Sequence, residues 1–365
     1  MKWSWRLGRI FGIGVYLHWT FLLLLAGIGF ANLYQSGDAV KAAAGIATIL
    51  LLFGIVLLHE LGHSLMARYF GIGTKDITLL PIGGLARLER MPEDPKQEFF
   101  VAIAGPAVNV VLAIVCFALL LLQGPADESM HLPKLVGGDL LPWLTMVNVS
   151  LVVFNMLPAF PMDGGRVLRA LLATRMPYAR ATRIAANVGQ AMALLFGLVG
   201  LLSQNFLLVF IALFVWLGAE GEASMAQIKS SLGGFPVSQA MITEFQTLRS
   251  SDPLSNAVEH VLASFQQDFP VVEDGRLLGI LTYAGMVKAL AEEGSATPAG
   301  SVMETTFETV APTDSLESVF QQLQQCNCPA MPVIEDGHLV GLLTPHNVSE
   351  FIMVQNAMHQ ARGAA

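Results

Sequence analysis

One stretch organises this chain: Leu57-Leu58-His59-Glu60-Leu61-Gly62-His63, at the end of a long apolar run. On a helix, residues four apart project from the same face, so His59 and His63 could bind one zinc ion together. Glu60 lies beside them and is a candidate general base. Residues 42–58 carry no charge, and ionisable residues in a membrane-length helix are costly and usually functional. Histidines that only pack or cap the helix are the alternative interpretation.

The composition indicates a membrane protein. The 365 residues are 54% hydrophobic and 13% charged, whereas soluble proteins average about a quarter charged. Most of the chain before about residue 220 is therefore predicted to lie in a bilayer. The net charge of −8 argues against nucleic acid as a partner. The basic start leads into an apolar run too long for a cleavable signal peptide.

The cysteine pattern indicates neither a disulfide framework nor a metal site. The chain has three cysteines, Cys116, Cys326 and Cys328. Cys326-x-Cys328 has no second Cys or His pair nearby, so these two are interpreted as loop or core thiols.

Six apolar spans are predicted from the hydropathy pattern. They cover about 15–33, 42–66, 99–122, 140–160, 184–202 and 206–219. The aromatic residues near the first span are candidate interfacial anchors. They are Trp3, Trp5, Tyr16 and Trp19.

The distribution of basic residues predicts the orientation. Three of them precede the first span, five lie in 67–98 and five in a basic loop at 166–183, all on one side of the membrane. The other side has only Lys41 and Lys134. The positive-inside rule therefore places both termini in the cytoplasm.

A third zinc ligand is expected from another element at the same depth, since catalytic zinc takes three protein ligands and keeps one open position. Asp163 is the best candidate, because the glycines of Asp163-Gly-Gly allow a sharp bend and close backbone approach. An N-cap or turn aspartate is the alternative. Zinc would acidify its bound water, Glu60 would take the proton, and the Asn155 amide could hold the tetrahedral intermediate.

Two further features have two interpretations each. Residues 77–88 are predicted to form two short extended pieces around Gly83-Gly84, either a plain surface hairpin or an edge that adds an unwound substrate as a strand. Asn109, in the third span, could line the catalytic cavity or hydrogen-bond between helices.

The chain after about residue 224 has the character of a soluble α/β protein and contains an internal repeat. The segment PVVEDGRLLGILT at 270–282 recurs as PVIEDGHLVGLLT at 332–344. Each copy is predicted to form a helix, a strand, an Asp-Gly hairpin turn, a second strand and a closing helix. The pattern indicates tandem duplication.

The membrane half resembles the site-2 proteases, which are intramembrane zinc metalloproteases, over about 10–220. The resemblance rests on His59-Glu60-x-x-His63, Gly83-Gly84, Ala104-Gly-Pro-x-x-Asn109 and Asn155-x-x-Pro-x-x-Pro-x-Asp163-Gly-Gly. It implies one zinc ion per chain, bound by His59, His63 and Asp163, with Glu60 catalytic and Asn155 at the site. It also implies cleavage of transmembrane segments with release toward the cytoplasm. Gly83, Gly84 and Asn109 are the candidate substrate-binding residues.

The tail resembles a tandem cystathionine-β-synthase-type (CBS) domain pair over about 236–360. Such pairs often sense adenine nucleotides, with a Thr or Ser after the last strand and an Asp three residues later. Thr282 and Thr344 match this pattern, but Gly285 and Asn347 replace the aspartates. Two interpretations therefore remain: the pair binds an adenine nucleotide, or it only dimerises the chain or gates the substrate.

The predicted fold is a polytopic α-helical membrane domain of six transmembrane helices followed by a soluble α/β tandem CBS-domain pair. The predicted boundaries are 1–222 for the protease, 223–235 for a linker, and 236–296 and 297–359 for the CBS domains. The chain is expected in the cytoplasmic (inner) membrane, with its termini and CBS domains cytoplasmic. Expected partners are the lipid bilayer, a membrane protein with a transmembrane segment, and a second copy through the CBS pair.

Two other classes of function compete with the endopeptidase. A catalytically silent membrane scaffold need not keep Glu60 and all three candidate ligands. A channel or transporter with a CBS regulator would carry charges along its spans, which are almost charge-free here.

Overall fold

The computed structural model of this chain describes residues 4–81, 83–90, 92, 94–122, 140–326 and 328–363. The chain forms two compact units, Met1–Ala226 and Gln227–Ala365. Trp3, one of the predicted anchors, lies outside the described residues, as does the segment 123–139 with Lys134.

A four-stranded sheet begins the first unit. Its strands are β1 (Ser4–Ile10), β2 (Ile13–His18), β3 (Thr74–Leu80) and β4 (Gly83–Leu88), in the order β1-β2-β3-β4. β2 and β3 are parallel, and the other two pairs are antiparallel. The two extended pieces predicted around Gly83-Gly84 are confirmed, and the strand order makes β4 an edge strand.

Seven helices are described in or starting from the first unit. They are α1 (Trp19–Ser36), α2 (Ala39–Tyr69), α3 (Pro95–Leu122), α4 (Leu140–Asn155), α5 (Asp163–Ala173), α6 (Tyr178–Leu202) and α7 (Phe206–Leu232). In the part of the chain that the structure describes, α2, α3, α6 and α7 are long and apolar enough to cross a membrane. The chain is therefore a membrane protein. α4 is apolar but has only 16 residues, so the count of six spans stays a prediction.

The first helix begins later than predicted. Residues 15–18 were expected to start a span but belong to strand β2. A short apolar run fits a strand as well as a helix, and here Ile13 and Val15 are buried in the sheet core. His18 ends the strand and caps α1, since its Nδ1 accepts a 3.4 Å hydrogen bond from the Thr20 backbone N–H.

The stretch 166–183, predicted as a basic loop, is mostly helical. α4 ends at Asn155 rather than at 160, and α5 follows from Asp163. Glycines at the start of α5 allow its tight packing, because a Cβ on Gly164 would lie 2.2 Å from the Leu157 carbonyl oxygen. The close backbone approach predicted for Asp163-Gly-Gly is confirmed.

Arg169 of α5 is a buried brace rather than a loop charge. Its side chain is 2% exposed, and its guanidinium donates to Glu98 on α3 and Glu222 on α7, at 2.7 and 2.8 Å. The same guanidinium lies 4.9 Å from the ring centres of Phe160 and Tyr178. One cation thus connects four helices, α3, α5, α6 and α7, and the loop before α5.

The second unit contains the two repeats. The first has α8 (Leu254–Ala263), β5 (Phe269–Glu273), β6 (Arg276–Leu281) and α9 (Tyr283–Glu292), and the short α10 (Ala299–Val302) follows. The second has α11 (Leu316–Cys326), β7 (Met331–Glu335), β8 (His338–Leu343) and α12 (Pro345–Gly363). The predicted order of elements is confirmed in both copies. Their hairpin turns carry Asp274 and Asp336 at positive φ, as an Asp-Gly turn requires.

The two repeats exchange backbone pairs. Ile242 of the first repeat bridges Leu342 of the second, and Ile280 of the first bridges Glu304 of the second. These pairs are equivalent under the repeat, so each copy completes the sheet of the other. Each repeat therefore needs the other repeat of the same chain to complete its backbone pairing.

The Cys326–Cys328 prediction needs a correction. The structure joins these two residues as a disulfide, so they are not free thiols. Their Cα atoms are 5.1 Å apart, within the range that a disulfide spans. Cys116 is a free cysteine.

Asp268, just before β5, makes the stability of the second unit pH-dependent. Burial raises the pKa of this carboxyl, a hydrogen bond from the Tyr283 N–H opposes the shift, and Glu304 adds to it. The folded state therefore binds a proton more tightly than the unfolded state, and the free energy of unfolding falls as the pH rises above the ordinary aspartate value of about 4.

We expect Asp268→Asn to stabilise the CBS unit at neutral pH, because an asparagine oxygen still accepts from Tyr283 while the buried charge is gone. The advantage should shrink as the pH falls toward about 4, where the wild-type carboxyl is protonated. Hydrogen exchange of residues 237–354 in the full chain measures it. Glu292→Gln, at an exposed position, is the control. A gain that is independent of pH would contradict the explanation.

Candidate metal centre

The three candidate ligands meet at one point. His59 and His63 lie one turn apart on α2, and Asp163 is the first residue of α5. The Asp163 Oδ2 atom lies 3.2 Å from His59 Nε2 and 3.1 Å from His63 Nε2. The two Nε2 atoms are 3.1 Å apart, and all three side chains are buried. The aspartate thus contacts both histidines, rather than acting as a cap or turn residue.

The hydrogen bonds behind the histidines determine what faces this point. His63 Nδ1 lies 2.7 Å from the Val101 carbonyl oxygen, which can only accept, so this nitrogen carries the proton. His59 Nδ1 lies 2.5 Å from Asn109 Oδ1, likewise an acceptor. Both Nε2 atoms therefore present lone pairs toward a carboxylate oxygen. Such a donor set needs a cation, and two imidazoles with one carboxylate fit zinc.

α3 lies very close to this centre because of a glycine. A Cβ on Gly105 would lie 2.2 Å from His63 Nε2, and one on Gly62 would lie 2.7 Å from the Ala104 carbonyl oxygen. The two helices therefore touch through backbone, and α3 leaves room for the His63 ring.

Glu60 lies beside the metal centre but is not one of its donors. Its Oε2 atom accepts a 3.3 Å hydrogen bond from the Ala86 N–H of edge strand β4. Gly84 makes room for it, since a Cβ there would lie 2.6 Å from Glu60 Cγ. Glu60 is half-buried, as befits a base that must reach water.

A cavity of about 350 Å³ connects the predicted catalytic residues. It is lined by His59, Glu60, Gly83, Gly84 and Asn155, together with apolar side chains. Asn155 donates one amide hydrogen to the Leu151 carbonyl at 3.0 Å, which leaves its second hydrogen for another acceptor. The predicted neighbours of the metal thus share one chamber.

Asn109 lies elsewhere. It is fully buried, does not line this cavity, and contacts His59 from behind. Its Nδ2 donates to Asn148 Oδ1 on α4 at 2.9 Å. The geometry supports the interhelical hydrogen bond. It gives no support for a direct contact between Asn109 and a substrate in this cavity.

Sequence reasoning missed Asn148, Ala86 and the buried role of Arg169. An asparagine in the middle of an apolar helix is a signal for Asn148, because an amide in a membrane segment needs a partner. Ala86 acts through its backbone, which no side-chain motif shows. Arg169 is one of five arginines in residues 166–183, and nothing in the sequence distinguishes it from the other four.

The two CBS threonines cap helices. Thr282 Oγ1 accepts from the Gly285 N–H at 3.1 Å and lies 3.4 Å from Glu304 Oε1. Thr344 Oγ1 accepts from the Asn347 N–H at 3.2 Å. Both hydroxyls are thus used locally, and the surroundings of Thr282 are acidic.

Comparisons with known proteins agree with this architecture. The Peptidase family M50 matches residues 47–196, and the CBS domain matches 237–292 and 299–354. A zinc metalloprotease of Methanocaldococcus jannaschii is 33% identical over 348 residues, 95% of this chain and 96% of its own length. The Stage IV sporulation protein FB of Bacillus subtilis is 35% identical over 162 residues, 43% of this chain and 52% of that protein.

A solved structure is similar as well. The site-2 protease from Methanocaldococcus jannaschii has 39% sequence identity with a TM-score of 0.46, covering 60% of this chain and 95% of that one. Because the archaeal zinc metalloprotease matches almost all of both sequences, and two CBS domains follow the peptidase region, this chain belongs to peptidase family M50, the site-2 proteases, and is a zinc metalloendopeptidase with a tandem CBS pair.

Proposed function

We propose that this enzyme cleaves transmembrane segments of membrane-tethered proteins near the cytoplasmic side of the membrane. The observation that carries the proposal is the convergence of two histidine lone pairs and a carboxylate beside Glu60, within apolar membrane helices. An enzyme for soluble peptides has no need to hold such a centre there.

The proposed topology has six spans, with α1 and α4 as the two beyond the four long apolar helices. Arg6 and Arg9 in β1 belong to the basic side of the charge distribution. That side would be cytoplasmic, with both termini and the CBS pair in the cytoplasm of a cell bounded by this membrane. The domain boundaries 1–222, 223–235, 236–296 and 297–359 are part of this proposal.

Bound zinc would supply a Lewis acid that acidifies a water molecule and polarises the substrate carbonyl. His59, His63 and Asp163 would hold the ion. Glu60 would take a proton from the attacking water and then give it to the leaving amine. The free amide hydrogen of Asn155 would donate to the developing oxyanion from the wall of the same cavity.

The edge strand β4 would present the substrate. An unwound segment that pairs with β4 would reach the cavity wall at Gly83 and Gly84 as an extended strand. The Ala86 N–H now bonded to Glu60 points from this edge. A substrate carbonyl would take over that N–H and leave the Glu60 carboxylate unbonded, ready to act as a base.

The CBS pair would regulate the enzyme. Asp268 and Glu304 near Thr282 disfavour a phosphate group in the first repeat, since like charges repel. An adenine nucleotide would therefore fit better near Thr344, where the corresponding neighbours are Ala330 and Ile242. Homodimerisation through the pair is the other means of regulation.

Zinc content tests the proposal before any substrate is known. We expect close to one zinc ion per purified wild-type chain and a small fraction of that in Asp163→Ala, because one of three protein ligands is lost. Asp94→Ala, which alters an aspartate that caps the start of α3, is the matched control. Wild-type protein without zinc, even after reconstitution, would overturn the proposed mechanism. Zinc retained in Asp163→Ala would show that another residue is the third ligand.

A further inference from the structure

Asn148 is a buried polar residue to which the mechanism gives no role. It lies in the middle of apolar α4, is 1% exposed, does not line the cavity described above, and hydrogen-bonds to Asn109 and Leu144 rather than to the three candidate ligands. We propose that Asn148 is a positioning residue for the metal centre: it fixes the orientation of the Asn109 amide and, through it, the proton of His59. The inference rests on the proposed zinc site.

The order of donors and acceptors in this chain of hydrogen bonds is set on α4. Asn148 Nδ2 lies 2.8 Å from the Leu144 carbonyl oxygen. A carbonyl only accepts, so the NH₂ group of Asn148 must face it. The Asn148 Oδ1 atom therefore faces the other way, toward α3.

The orientation of Asn148 then determines how Asn109 faces His59. Asn148 Oδ1 accepts from Asn109 Nδ2 at 2.9 Å, which turns Asn109 Oδ1 toward His59. That oxygen lies 2.5 Å from His59 Nδ1 and requires a proton there. The Nε2 lone pair of His59 is then left for the metal.

Asn109 could not impose this direction alone. Its amide has almost the same shape when rotated by 180°, and the rotated group would offer NH₂ to His59 Nδ1. The proton of the neutral ring would then sit on Nε2, where it blocks metal binding. With Asn148 in place, rotation would bring two amide oxygens 2.9 Å apart, so the rotated state is disfavoured.

A purely structural role is the competing explanation, since asparagines often hold membrane helices together. Three variants separate the two. Asn148→Thr can bond to the Leu144 carbonyl, as Thr145 bonds to Leu141 at 2.9 Å, but is too short to reach Asn109. Asn148→Leu removes both bonds. Asn148→Asp keeps an oxygen that accepts from Asn109 Nδ2, so it restores the direction.

The experiment is zinc affinity of the full chain in detergent, by competition with a chromophoric chelator. We expect Asn148→Thr and Asn148→Leu to bind zinc about 10- to 100-fold more weakly, and Asn148→Asp to bind close to wild type. Asn32→Leu is the matched control, because Asn32 makes the same type of bond to Ile28 on α1.

Unchanged zinc affinity in folded Asn148→Thr would overturn the inference and leave the proposed function intact. Equal weakening in Asn148→Asp and Asn148→Thr would overturn it too, because direction would then not matter. If Asn148→Leu does not fold, the Thr and Asp pair still decides. Wild-type protein that binds no zinc would instead reject the proposed function itself.

Discussion

Glu60→Gln is expected to slow cleavage by about 10²- to 10⁴-fold, the usual contribution of a general acid–base group, and to leave zinc bound. The glutamine oxygen can still accept from the Ala86 N–H, so the position of the side chain is kept. What is lost is the ability to take a proton. The metal should stay, since the donors that converge are His59, His63 and Asp163.

The measurement uses full-length enzyme in lipid vesicles with a panel of fluorescently labelled single-span peptides, and zinc content is determined on the same samples. Glu89→Gln is the matched control, because Glu89 is an exposed glutamate just after β4. It should cleave at the wild-type rate. Cleavage by Glu60→Gln at that rate would remove Glu60 as the base, and loss of zinc would place Glu60 in the metal centre instead.

The metal centre was predictable because its parts obey strong local rules. Helical spacing puts His59 and His63 on one face wherever α2 lies. Asp163 was predictable because a third ligand is expected at the same depth as the histidines, and the two glycines that follow Asp163 allow close backbone approach. The repeat was predictable for a different reason: two copies of one pattern support each other, and the Asp-Gly turns fix both hairpins.

The sheet at residues 4–18 was not predictable in the same way. Its apolar residues run directly into those of α1, and hydropathy does not separate a strand from the helix that follows. β2 pairs with the neighbouring β1 on one side, but its other partner, the parallel strand β3, lies more than fifty residues later in the sequence. Such long-range pairing leaves no local signal.

α5 and the contacts of Asn109 show the same limit at the site. Gly164 and Gly165 suggest a loop in isolation, yet they start a helix because only glycine fits against the backbone of residues 156–160. The sequence shows two asparagines in two apolar helices, but the direction of their hydrogen bonds depends on how α2, α3 and α4 are packed.

Arg169→Met is expected to destabilise the membrane unit by about 3–5 kcal/mol, because removing one partner of a buried ion pair leaves the other charge unpaired. Glu98 is 4% exposed and would lose its cation. Glu222 would lose it too. Equilibrium unfolding in mixed detergent micelles, followed by tryptophan fluorescence, gives the free energy.

Arg183→Met is the control for loss of an arginine on neighbouring α6. Its pair with Glu220 is 3.3 Å long, with the two side chains 54% and 47% exposed, and such surface pairs contribute about 0–1 kcal/mol. If Arg183→Met and Arg169→Met lowered the free energy of unfolding by similar amounts, Arg169 would not be the buried brace described above.

A second substitution identifies the cause of the loss. Arg169→Met combined with Glu98→Gln removes the buried carboxylate along with its cation. If the unpaired charge causes the destabilisation, the double variant should recover part of the stability lost in Arg169→Met alone. If lost packing against Phe160 and Tyr178 causes it, no recovery follows, because Glu98→Gln does not restore the contact of a guanidinium with those rings. The sign of the coupling therefore decides whether charge or packing makes Arg169 necessary.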